Sequence, residues 1–88
     1  MDKITQGERA AELLVNPVFQ EAIQGVKDAI HNQWETCPIR DVEGQQYLKL
    51  ELKILNDLVG NIRSMVNSGK MEAHKKTMGQ KVRQFVRR

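Results

Sequence analysis

Three kinds of side chain in this 88-residue chain could do chemistry: one thiol, two imidazoles and a cluster of cations near the C-terminus. Cys37 would act as a nucleophile only with a base such as His31 or His74 in hydrogen-bond reach, and nothing in the spacing brings either to it. It precedes Pro38 in a turn and reads as a half-buried thiol between helices. No serine stands in a nucleophile motif. His31 and Glu35 are four apart on one helix face and could give two metal ligands. No third His or Cys stands at ligand spacing, and a two-ligand site is weak. The six glycines are scattered, with neither GxGxxG nor GxxxxGK followed by Ser or Thr to cradle a phosphate. The residues point away from an enzyme and imply no metal and no cofactor.

The cations carry the stronger signal. Up to Gly69 the chain has 7 Lys/Arg against 10 Asp/Glu, net −3. From Lys70 onward it has 7 Lys/Arg against Glu72 alone, net +6. Halves of opposite sign indicate a folded body, residues 1–69, and a basic C-terminal tail, residues 70–88, made for an acidic partner. The residues expected to make that contact are Lys75, Lys76, Lys81, Arg83, Arg87 and Arg88. An acidic protein surface is the first candidate. Nucleic acid follows, since phosphate backbones attract such arms without sequence readout. A merely solubilising tail is the bland reading. An anionic membrane, with Val82, Phe85 and Val86 as shallow anchors, is the least favoured.

The elements that hold these residues read as helices. Thr5 and Glu8 stand three apart, as a capping box requires, and predict a short helix over 6–15. Asn16-Pro17 pairs a good N-cap with a residue tolerated at the first helical position. From there Phe19, Ile23, Val26, Ile30 and Trp34 recur at helical spacing, widened by Ala22 and Ala29, and predict a second helix over 17–35. Trp34 reads as a core or hairpin-end residue rather than a ligand platform. Pro38 disfavours helix at Cys37, and Asp41 is a plausible N-cap for a third helix.

That third helix, expected over 42–68, is the clearest. Leu48, Leu52, Leu55, Val59, Ile62 and Val66 form an a/d heptad seam. Tyr47, Ile54, Leu58 and Met65 make a second apolar edge, so the face is wider than a two-stranded coiled coil needs. Asn67-Ser68-Gly69-Lys70 reads as a stop, with Gly69 in the left-handed C′ position. Beyond it, Met71, Met78, Val82 and Phe85 could share a face, and the segment reads as either a fourth helix or an arm that orders on binding.

The expectation is therefore an all-α protein: a short N-terminal helix, a long antiparallel helical hairpin and a basic C-terminal extension. A hairpin cannot cover both edges of the third helix. The leftover surface should meet the first helix or a second copy, which makes the six seam residues the expected self-association surface. One domain is all that this length allows, and a chain so short buries only about 60% of its unfolded surface. The single cysteine fits a reducing compartment. MDKITQGERA lacks the apolar stretch of a signal peptide, and no apolar run approaches the ~18 residues of a membrane span.

Several stretches resemble a family of small helical proteins encoded by tailed bacteriophages near head and DNA-packaging genes. They are Arg9-Ala10 with Leu13-Leu14, Asn16-Pro17-Val18-Phe19-Gln20-Glu21-Ala22, Trp34 with Pro38-Ile39-Arg40-Asp41, Leu48 through Leu58, and Ser68-Gly69-Lys70. The resemblance covers the body and not the tail, and brings no catalytic motif. It implies a phage accessory, assembly or virion protein, placed in the host cytoplasm or in the virion. The expected function is non-enzymatic: the body docks or oligomerises and the tail grips an acidic surface, on a partner protein of the virion or host or on packaged nucleic acid. The alternatives are a small nucleic-acid-binding protein without base specificity, and a phage inhibitor of a host protein.

Overall fold

The computed structural model describes the backbone of residues 1–86 and the side chains of residues 1–79. The described residues are all-helical: α1 spans Lys3–Leu14, α2 Pro17–Thr36 and α3 Val42–Val86. Each start has a local cause. Asp2 takes an extended conformation and its carboxylate accepts the Thr5 N–H at 2.7 Å. This cap starts α1 three residues before the expected Gln6, so the Thr5/Glu8 box is not its beginning. Asn16 Oδ1 accepts the N–H groups of Val18 and Phe19 at 2.8 and 3.2 Å, with Pro17 at the first helical position. Asp41 Oδ1 accepts the Gly44 N–H at 2.9 Å and opens α3. Between α2 and α3, Cys37 is extended, as a residue before proline prefers.

The expected stop at Ser68–Lys70 does not occur. α3 runs on for 45 residues through Gly69, which has no left-handed backbone. At 1.5 Å per residue this is about 68 Å of helix, nearly the whole 73 Å length of the molecule. Lys70 through Lys76 contains Met, Glu, Ala and Lys, all of good helix propensity. With no cap to terminate the helix, propensity carries it forward.

Gly69 serves packing instead. A Cβ built on Gly7 would lie 2.9 Å from the Gly69 Cα and 3.0 Å from the Met65 carbonyl oxygen. One built on Gly69 would lie 2.9 Å from the Lys3 carbonyl oxygen and 3.0 Å from the Gly7 Cα. Both glycines are buried. α1 thus crosses α3 with backbones nearly touching, a separation that only hydrogen at both Cα atoms permits.

α1 and α2 lie in succession along α3. Ile4 and Gly7 border a groove with Gly69 and Ala73. Leu14, Phe19 and Ile23 border one with Val59 and Arg63, and Ile30 and Trp34 border one with Leu48 and Leu52. The order along α3 is reversed, a packing compatible with an antiparallel hairpin whose first arm is broken at Asn16-Pro17.

The core is thin. Ala10, Ile30, Leu48, Leu55 and Ile62 are the buried apolar residues, and Ile23, Cys37 and Leu52 pack around the Ile30–Leu48–Leu55 cluster. No described side chain is wholly removed from solvent. The heptad seam is the centre of this core. Leu48, Leu55 and Ile62 are buried and Leu52, Val59 and Val66 half-buried. These six residues, expected as a self-association surface, thus lie under or beside α1 and α2 of the same chain. Helices laid on one line of α3 leave its flanks open, and those flanks carry the exposed apolar residues.

Candidate functional site

At about 100° of turn per residue, Tyr47, Leu50, Ile54 and Leu58 fall within an arc of about 80° on α3. Its centre lies about 115° from the seam. These four side chains are 66%, 51%, 59% and 51% exposed. Beyond the other margin of the seam lie Lys49, Asn56 and Arg63, all exposed. α2 shows the same division about its inward residues Ile23 and Ile30. Exposed Ala22, Val26 and Ala29 lie on one flank, and Gln24, Lys27 and His31 on the other.

Shared grooves establish which flanks lie together. Lys27 and Arg63 border one groove, and His31 and Lys49 border another. The polar flanks of α2 and α3 therefore occupy one side of the two-helix layer. The apolar flanks occupy the other. No carboxylate lines either polar-side groove. Glu43, Glu51 and Asp57 instead border the apolar stripe, by the same helical geometry. The layer thus has an apolar side with an acidic rim and a polar side where Lys27, Lys49 and Arg63 stand, with Asp28 and Glu35 at its outer edge on α2.

The cations are available. Among the described residues, the one ion pair within 4 Å is Arg9 with Glu12, at 3.4 Å on the surface, where such pairs contribute little. Of the six tail residues expected to contact a partner, Lys75 and Lys76 are exposed on α3. Lys81 and Arg83 fall on the α3 backbone with side chains outside the described residues, and Arg87 and Arg88 lie outside them altogether. Lys76 is near enough to the start of α1 to act on Asp2. The Asp2 carboxyl is held below its ordinary value, first by its bonds from Thr5 and then by the Lys76 charge.

The side chains weighed for chemistry stand apart from both faces. Cys37 is half-buried at the end of α2, its Sγ 3.8 Å from the Pro38 carbonyl oxygen and 3.9 Å from the Asp41 carboxylate. Desolvation, and then the Asp41 charge, push its thiol above the usual value. The thiolate is the nucleophilic form, so this setting works against reactivity. His31 and Glu35 are exposed on α2, and no three His, Cys, Asp or Glu among the described residues converge as metal ligands. No described helix is long and apolar enough to cross a membrane.

The second edge was only partly visible beforehand. Tyr47, Ile54 and Leu58 belong to it, Leu50 was missed, and Met65 is half-buried near Gly7. The 3, 4, 4 spacing of Tyr47, Leu50, Ile54 and Leu58 was the available signal. The polar side was missed because Lys27 is far in sequence from Lys49 and Arg63 and comes onto their side only when α2 lies on α3. No protein-family model, curated protein or solved structure matches the chain.

Proposed function

We propose that this chain is a non-enzymatic docking and assembly protein of the phage type: a helical hairpin that seats its apolar side on protein and turns its cations toward an acidic partner. The observation that carries the reading is the opposite chemistry of the two sides of the α2–α3 layer. Lys27, Lys49 and Arg63 lie on one side of the rod, and α3 runs on beyond it to Val86 through the first part of the basic segment. The guarded Cys37 thiol supports a binding role over a catalytic one. The acidic surface is a protein of the particle or of the host cell, and packaged nucleic acid is the second reading because the tail has the charge density that phosphate backbones attract.

Fluorescence anisotropy against labelled duplex DNA and labelled polyglutamate, each through a salt titration, tests both readings. Binding should weaken steeply with salt and should fall in the charge-reversed variants K49E/R63E and K75E/K76E. A preference for polyglutamate supports a protein partner, and a duplex preference with a slope of several phosphates supports nucleic acid. Equal binding by wild type and both reversed variants refutes the proposal.

A further inference from the structure

The molecule exposes far more surface than its mass requires. Its accessible area is 7541 Å², where a compact monomer of 10.1 kDa would expose about 5,300 Å². Its radius of gyration is 20.3 Å, against about 12 Å for a compact chain of this length. Part of the excess of about 2,200 Å² is the stretch of α3 that projects beyond the start of α1, and the open flanks of the layer supply the rest, an area comparable to the roughly 1,000–2,500 Å² that each partner buries in an obligate homodimer. The core is also incomplete, since no described side chain is fully buried. Small domains that cannot complete a core alone commonly do so by oligomerisation.

We infer that the apolar side of the layer, centred on Ile54 between Leu50 and Leu58, is covered by the same side of a second copy of this chain. The inference rests on the functional reading above and names the occupant of its apolar side. A second copy fits better than a foreign protein because the missing core is needed as soon as the chain folds, and an identical chain is then at hand. Apolar residues facing their own kind also need no charge complement on the other surface. Stacking two such layers face to face gives a four-helix arrangement about a two-fold axis, with the polar, cation-bearing sides outward. The acidic rim, Glu43, Glu51 and Asp57, then comes near its own image. Like charges meet there, and screening by salt relieves them.

Sedimentation equilibrium of the full chain, with the variants I54E and N56E, the latter on the polar flank, tests this. Wild type and N56E should be dimers whose association tightens with added salt. I54E should raise the dissociation constant on the order of 100-fold or more, since it buries a charge at the centre of an apolar contact. Ile54 is 59% exposed and stands outside the buried Ile30–Leu48–Leu55 cluster, so far-ultraviolet circular dichroism at high concentration should keep I54E helical. A monomeric wild type, or a dimer indifferent to I54E, overturns the inference. Neither result touches polyanion binding by the cationic side, which tests the functional reading separately and weakens with salt where this dimer strengthens.

Discussion

Replacing glycines with alanine should change the stability of this protein in opposite directions at different positions. In a helix interior, Ala is favoured over Gly by roughly 0.5–1 kcal/mol. Gly25 and Gly60 have nothing within 4 Å of the place where a Cβ would stand. G25A and G60A should therefore each stabilise by about that amount. At Gly69 the new Cβ would meet the Lys3 carbonyl oxygen at 2.9 Å and the Gly7 Cα at 3.0 Å. Ordinary carbon contacts begin at about 3.5 Å, so α1 must move outward by several tenths of an ångström. The obstacle is backbone and has no rotamer by which to escape. Overpacking of this kind costs typically 1–3 kcal/mol. Set against the propensity gain, G69A should end about 0–2 kcal/mol less stable than wild type, and about 1–3 kcal/mol below G60A on the same helix. Urea titrations of G7A, G25A, G60A and G69A at one protein concentration would measure this, with amide exchange on α1 as the local readout. In G7A/G69A the second substitution should cost less than the first, because α1 has already been displaced. Equal stabilisation by G69A and G60A would refute the close crossing of α1 and α3.

Two further outcomes concern single groups. Because the Asp2 carboxyl is held low by Thr5 and Lys76 in the folded chain, its contribution to α1 is complete above the usual carboxylate range and is lost as pH falls through its lowered folded value. α1 amides should lose protection on acidification in wild type and less so in D2N, which keeps an N-cap acceptor without a titrating charge. Identical pH profiles would remove Asp2 from the account. Cys37, with its thiol pushed up by desolvation and by Asp41, should react with iodoacetamide at neutral pH more slowly than the same thiol in urea. Faster alkylation in the folded protein would contradict the guarded geometry.

Much of the local structure could be read from a few residues at a time. The starts of α2 and α3 lie in Asn16-Pro17 and Asp41, whose side chains reach backbone N–H groups two or three residues on. The seam from Leu48 to Val66 follows from periodicity alone. Asp2 was missed as a cap because Thr5 and Glu8 offered an equally well-formed box three residues later.

Composition and short-range pattern by themselves determined an all-helical chain, the break at residues 16–17, the turn at 37–41 and the division of charge after Gly69. These depend on backbone propensity, capping and the 3.6-residue period, all of which act within a turn or two of helix. Only the tertiary structure decided what Gly69 does and which apolar edge stays free. A glycine suits a left-handed helix end and a close helix crossing equally well, and Gly7 lying across it selects the second. Likewise, Leu48 to Val66 and Tyr47 to Leu58 are both apolar lines on one helix. Which of them faces solvent depends on where α1 and α2 come to rest. That placement follows from backbone approach and side-chain fit between segments distant in sequence, and no local pattern records it.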